Sequence, residues 1–309
     1  MASVLNSAYP NFEVILVDNG SDDGSVELIE KLFRTDQRLK ILKLRKNIGF
    51  AAGNNVGIAH CSGNYNVFLN NDTIVDENWL NELVKIMDKG NNIGAAQSKL
   101  LDMKNPKKLD SAGDFVNCYG SVYSRGKGEN ETSYNQLDTI FSARGAAMII
   151  KSKVLNEVGL FDPSFFMIYE DVDLCWRINL KGYKISYVPK SRVYHFSEAT
   201  TSKLDYKFPL FHRTKNWFML MLKNREMKAL IRYNPLIYLL GVMTLDLLKR
   251  REIESLLTRL AAVIWVIKNF PQIWSKRLFI QNMLKTKRYT ESNLLVMSNF
   301  SSLLKSITS

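Results

Sequence analysis

Asn66-Val67-Phe68-Leu69-Asn70-Asn71-Asp72 is an apolar stretch that ends abruptly in three polar side chains. In open α/β sheets, ligands collect beyond the carboxyl ends of the strands, so a carboxylate and two carboxamides placed there face a crevice. Hard cations take such oxygen ligands. The same residues also suit a plain turn through Thr73 toward a helix beginning near Asp76. Both readings stay open on this stretch alone.

Working outward, Phe12 to Val17 reads as a buried parallel strand, followed by the loop Asp18-Asn19-Gly20-Ser21-Asp22-Asp23-Gly24-Ser25. A helix to about Arg34 follows, with Val26, Leu28, Ile29, Leu32 and Phe33 on its inner face. Lys40 to Leu44 is a second strand, and Asn47-Ile48-Gly49-Phe50-Ala51-Ala52-Gly53-Asn54-Asn55 opens a small-residue helix ending near Cys61. Its glycines leave room for a phosphate or ribose, although the stretch matches neither the dinucleotide fingerprint nor the P-loop. With Val67 to Leu69 as a third strand and Trp79 to Met87 as a helix, this alternation predicts a doubly wound sheet.

Downstream, Ile93 to Leu101 is expected as a strand, and Asp102 to Ser133 as irregular loops or short edge strands that shape a substrate pocket. Phe141 to Lys151 reads as a tight loop and strand, and Ser152 to Val158 as a short helix. The segment Tyr169-Glu170-Asp171-Val172-Asp173-Leu174-Cys175-Trp176-Arg177 predicts a helix stopping at Gly182, with three carboxylates in its first turn. Such acids complement the helix dipole, with Asp173 and Arg177 as a surface ion pair. The dipole equally keeps a carboxylate ionised and able to accept a proton. Tyr183 to Val188 is a further strand, and Val193 to Phe196 carries His195 to a strand end, as a packed residue or as a ligand. Beyond Ser202, helices are expected over Leu210 to Lys223, Ala229 to Arg250 and Ile253 to Asn269.

The chain has 309 residues and is 46% hydrophobic, which allows one large α/β domain with an appendage. Cys61, Cys118 and Cys175 are odd in number and lack metal-ligand spacing, so reduced thiols in a cytoplasmic setting are expected. No secretory leader or membrane span of 18 or more apolar residues is legible. The net charge of +12 sits in the tail: residues 201–309 carry 19 Lys and Arg against 6 Asp and Glu, whereas residues 1–200 carry 23 against 24. Basic residues scattered among apolar helices argue against a nucleic-acid partner. They suit either packing on the main domain or an anionic membrane surface, with Trp and Tyr at the margins of the apolar faces.

Taken together, Val17 to Ser25, Asn47 to Asn55, Leu69-Asn70-Asn71-Asp72, Gly159-Leu160-Phe161-Asp162 and Tyr169 to Arg177 resemble glycosyltransferase family 2, in particular its rhamnosyltransferase-like branch. The resemblance spans about residues 3 to 200. It implies a GT-A fold: an α/β, doubly wound, mixed and mostly parallel sheet flanked by helices. A nucleotide-sugar half would occupy about 1–100 and an acceptor half about 101–200. The C-terminal helical appendage, 201–309, would associate with the membrane.

By the same resemblance, Asp18, Asn19, Asn47, Gly49 and Asn70 belong to the nucleotide-sugar pocket. Asp72 stands in the place of the last acid of the Asp-x-Asp motif as a ligand to Mg2+ or Mn2+, with Asn70 where an aspartate is common. His195 resembles the late histidine that can join the metal, Asp171 the catalytic base, and Glu170 its fallback. Arg144 is expected on the phosphate or acceptor side. The implied reaction is inverting transfer of a hexose such as rhamnose from a nucleoside-diphosphate sugar to a glycan or lipid-linked acceptor, at the inner face of the cell membrane. Ser3 to Pro10 reads as the end of the helix that follows the family's opening strand, so that first strand is expected to be missing from this sequence, with part of the donor site. A catalytically inactive glycan- or membrane-binding scaffold is the alternative.

Overall fold

A computed structural model describes residues 1–197, 204–250 and 253–284. After a short helix α1 (Ala2–Leu5), the chain alternates β1 (Val14–Asp18), α2 (Ser25–Phe33), β2 (Leu39–Lys43), α3 (Phe50–Ile58) and β3 (Tyr65–Leu69). The turn strand β4 (Thr73–Val75), helix α4 (Trp79–Lys89) and long strand β5 (Ile93–Asp102) follow. The region expected as loops or short strands holds β6 (Leu109–Ser111), β7 (Asp114–Val116) and β8 (Val122–Ser124). Then come β9 (Asp138–Ile140), β10 (Ala147–Lys151), α5 (Ser152–Val158), α6 (Glu170–Leu180) and β11 (Lys184–His195).

The fold is α/β with a mixed sheet. Seven strands form the main sheet in the order β3-β10-β5-β11-β4, with β6 on β5 and β9 on β11. The parallel direction lies in the β5–β11 ladder and in a separate β1–β2 ladder, while the other pairs are antiparallel. Strands expected separately at Tyr183 and Val193 form one strand, because β11 carries an irregularity between Val188 and Arg192 and then regains its register with β5. That continuity brings His195 beside Thr73, a few residues beyond the end of β3. Strand β5 is buried from Gly94 to Leu101, since sheet neighbours and helices cover both faces.

Four departures from the sequence reading concern the C-terminal half. The Asp173–Arg177 pair is buried rather than on the surface, with Nη2 to Oδ2 at 3.0 Å, because α6 is enclosed and buries ten of its eleven residues. Helix α7 (Lys207–Asn224) buries eleven of eighteen residues and shares an apolar core with Trp176 and Val172 of α6, so it presents no broad apolar face. The helix expected from Ala229 to Arg250 is two, α8 (Met227–Arg232) and α9 (Pro235–Arg250). Pro235 cannot continue α8, since it lacks the N–H an interior helical position donates. Helix α10 (Ile253–Lys268) is followed by α11 (Phe270–Leu284), which had not been anticipated. Among the described residues, no helix is long and apolar enough to cross a membrane. Residues 201–203, 251–252 and 285–309 of the expected membrane-associating region lie outside the described residues.

Candidate active site

The first cluster forms where β1 and β2 end. Asp18 is buried and accepts the Ser21 N–H at 3.0 Å. Asn19 Oδ1 accepts the Ile48 N–H (2.9 Å), and its Nδ2 donates to Asn47 Oδ1 (3.1 Å) and to the Gly49 carbonyl (3.2 Å). Asn47 Oδ1 in turn accepts the Gly49 N–H at 2.8 Å. Gly49 has φ +87°, and a Cβ there would lie 2.5 Å from Phe166 Cδ2. Glycine is thus required by both conformation and space. Four of the residues expected at the nucleotide pocket, Asp18, Asn19, Asn47 and Gly49, are adjacent.

The second cluster lies beyond β3. His195 Nδ1–H donates to Asp110 Oδ2 at 2.8 Å, and Ser197 Oγ–H donates to Asp110 Oδ1 at 2.6 Å. His195 Nε2 stands 3.3 Å from Asp72 Oδ1 and 3.5 Å from Asn70 Nδ2. Asp72 Oδ1 is buried and makes no hydrogen bond, so its approach to Nε2 is an ion-pair distance without alignment. Burial alone pulls the His195 pKa down, but its contacts with Asp110 and Asp72 outweigh burial and raise it to about 9. Against the same burial penalty, His195, Arg144 and Ser197 hold Asp110 at about 2.

The third cluster lies at the start of α6. Asp171 Oδ2 accepts the Gly145 N–H at 3.0 Å and Oδ1 accepts the Val172 N–H at 2.8 Å. Glu170 is buried, and its Oε2 has no partner. Burial pushes the Asp171 carboxyl above the ordinary range, and pushes Glu170 well above it with the Asp171 charge adding to the effect. Desolvation thus outweighs what the helix terminus supplies to a nearby carboxylate, more so at Glu170 than at Asp171. Glu170 therefore holds a proton more readily than Asp171, which has two N–H donors.

Arg144 joins the second and third clusters. Its Nε donates to Asp114 (2.9 Å to Oδ2) and its Nη1 to Asp110 (3.4 Å), while its neighbour Gly145 supplies the N–H to Asp171. Arg144 is engaged with protein carboxylates rather than turned to an open phosphate side. A continuous polar chain thus runs from Asp72 through His195, Asp110 and Arg144 to the Gly145–Asp171 hydrogen bond. Asp110, Asp114, Ser197 and Gly145 were missed in the sequence, where no motif marks them. Only the buried strands β6 and β10 bring Asp110 and the 144–145 loop to this place.

Among the described residues, no three His, Cys, Asp or Glu side chains converge on one point as a complete metal site. By their chemistry, Asp72 Oδ1 and His195 Nε2 would nevertheless suit two ligand positions of a divalent cation. The carboxylate oxygen is buried without a hydrogen bond, and Asp110 anchors the opposite ring nitrogen, the usual support of a metal-binding histidine.

Comparison with known proteins agrees with this architecture. The model of "Glycosyl transferase family 2" matches residues 1–168. The poly-beta-1,6-N-acetyl-D-glucosamine synthase of Staphylococcus epidermidis is 27% identical over 191 residues, covering 62% of this chain and 44% of the synthase. The chain thus spans less than half the length of that curated relative. Among solved structures, S. aureus TarS 1-349 in complex with UDP-GlcNAc aligns with TM-score 0.57 and 16% identity, covering 92% of this chain and 82% of that one. GalNAc-T7 with UDP, GalNAc and Mn2+ aligns with TM-score 0.58 and 18% identity, covering 72% of this chain and 44% of that one. With its family model matched over more than half its length and its fold shared with these structures, the chain belongs to glycosyl transferase family 2.

Proposed function

We propose that the chain transfers a hexose from a nucleoside-diphosphate sugar to a hydroxyl of a glycan or lipid-linked acceptor, with inversion at the anomeric carbon. The polar chain joining Asp72 and His195 to Asp171 carries this reading. Asp18, Asn19, Asn47 and Gly49 line the nucleotide end, and Asn70 stands beside His195. Asp72 and His195 would hold Mg2+ or Mn2+, which neutralises charge on the leaving diphosphate. The acceptor oxygen forms its bond to the anomeric carbon as the bond to the diphosphate breaks, and Asp171 takes the hydroxyl proton. Burial suits Asp171 to this role by making it a stronger base than a free carboxylate. Glu170, whose carboxyl burial and the Asp171 charge push well above the ordinary range, favours its neutral form more strongly than Asp171 does. Relatives named for UDP-GlcNAc, GalNAc and N-acetyl-glucosamine polymers support a UDP-linked donor as the first to test.

Release of nucleotide from UDP-, GDP- and dTDP-sugars should require Mg2+ or Mn2+. It should fall at least about a hundredfold in Asp72→Ala and Asp171→Asn, the scale of losing an electrostatic or proton-transfer contribution. Unchanged turnover in both variants would refute the assigned roles.

The enzyme is further proposed to work as a peripheral protein on the inner face of the cell membrane. Along α10, Ile253, Leu257, Leu260, Ile264 and Ile267 recur at helical spacing and are all exposed, while Ala262 and Val266 face inward. Leu236, Ile237 and Leu240 of α9 add to the exposed apolar surface. A basic chain segment with such a face suits an anionic lipid surface.

A further inference from the structure

Between Phe165 and Tyr169, three residues hold left-handed backbone within four positions: Phe166 (φ 63°), Ile168 (φ 70°) and Tyr169 (φ 72°). None is glycine, asparagine or aspartate, the types that adopt this conformation at low cost. Bulky residues stay there only where surrounding contacts over-determine them, and such places cluster at functional sites. The bend has that setting on both sides. The Phe166 carbonyl accepts the Ala51 N–H at 3.3 Å and closes the space beside Gly49, while Tyr169 leads directly into Glu170 and Asp171.

One face of α7 holds this bend. Asn216 is fully buried, and its Nδ2 points at three carbonyls, of Phe165 (2.9 Å), Met167 (2.6 Å) and Ile168 (2.7 Å). Lys215 Nζ donates to the Ser164 carbonyl at 2.6 Å. His212, one turn earlier, stacks on the Phe166 ring with centroids 5.2 Å apart. Asn216 Oδ1 is buried without a partner, so the side chain serves only as a donor and carries the penalty of an unmet acceptor.

We propose that Asn216, with Lys215 and His212, is a positioning residue. It fixes the bend 165–169 and thereby sets the Asp171 carboxylate relative to the Gly49 loop. The proposal rests on the transferase reading for its kinetic consequence, but the coupling between α7, the bend and the Gly49 loop is testable without any substrate.

The experiment measures amide hydrogen exchange, and donor kinetics with Mn2+, on the full chain as wild type, Asn216→Ala, Asn216→Ser and Val266→Ala. Val266 lies in the same apolar core but on α10, so it serves as a control for general destabilisation. In Asn216→Ala, exchange at 165–171 and at 47–53 should quicken at least tenfold more than in the control. The kcat should fall about 10–100-fold, since small misplacements of catalytic groups carry losses of that order. The acidic limb of its pH profile should shift as the Asp171 surroundings change. Asn216→Ser, which keeps one donor, should lie between wild type and Asn216→Ala, and it carries the test if the alanine variant does not fold. Unchanged exchange at 165–171, or an equal kcat loss and no separate pH shift in Val266→Ala, would overturn the proposal. Quickened exchange at both segments, in a protein whose wild type releases no nucleotide from any donor, would sink the transferase reading and leave the clamp standing.

Discussion

Replacing Asp110 by asparagine tests the electrostatics of the Asp72–His195 pair directly. His195 rises from 6.5 to about 9, and at about 1.4 kcal/mol for each pH unit this corresponds to about 3 kcal/mol in favour of the folded, protonated form. Geometry apportions it unevenly. Asp110 accepts a well-formed hydrogen bond at 2.8 Å, whereas Asp72 lies 3.3 Å away and out of alignment, so about 2 kcal/mol is assigned to Asp110. Because the folded pKa lies above the unfolded one, this stability is fully present below about pH 6.5 and is lost as pH rises through about 9. Asp110 behaves oppositely: held at about 2, its contribution is present above 3.8 and lost as pH falls through 2. Urea unfolding in excess chelator at pH 6 and pH 9.5 should show wild type losing about 3 kcal/mol more than a pH-independent protein and Asp110→Asn only about 1. Groups elsewhere titrate equally in both proteins, so the difference in slopes is the measurement. Parallel stability curves would refute the placement of the imidazolium between two carboxylates. With Mn2+ present, the same variant should bind the ion about 10–100-fold more weakly, because the supporting partner of the histidine is gone.

Other consequences are equally direct. Lys223→Met removes a cation 2.9 Å from Asp173, which is fully buried, and 2.6 Å from the half-buried Asp162. Urea unfolding near pH 7 should show a loss of about 3–5 kcal/mol, the cost of leaving buried carboxylates short of a partner; a loss under about 1 kcal/mol would mean that Arg177, Asn224 and Lys276 suffice. Placing aspartates at Leu257 and Ile264, both exposed on α10, should abolish cosedimentation with anionic liposomes without lowering turnover of a soluble acceptor. Equal binding by wild type and the double variant would place the membrane contact elsewhere. Deleting everything beyond about residue 205 is a poorer test of that contact, since it removes the eleven buried residues of α7.

Much of the first hundred residues was legible because its signals are local. Strands β1, β2 and β3 and their helices announce themselves by apolar runs and glycine-marked turns, and Asp18, Asn19, Asn47 and Gly49 sit on loops whose position follows from strand order. The acidic first turn of α6 was legible for a similar reason, but only the family resemblance singled out Asp171 among its three acids. Asp110 and Asp114 were not, because they lie in a stretch of three-residue strands whose pairing is decided by distant partners. The Asp173–Arg177 spacing is that of any exposed helical pair, and only the packing of α6 between the sheet and α7 buries it.

By itself the sequence determined the alternation of strands and helices and the concentration of positive charge in the C-terminal third, since these follow from periodicity and composition. Tertiary structure alone decided that α7 is part of the core, that His195 is held by Asp110, and that one asparagine on α7 supports the bend leading to Asp171. The physical reason is range: apolar periodicity and turn chemistry act over a few residues. Burial and hydrogen bonding instead join positions such as Asp110 and His195, or Ile168 and Asn216, whose separation along the chain carries no signal of their contact.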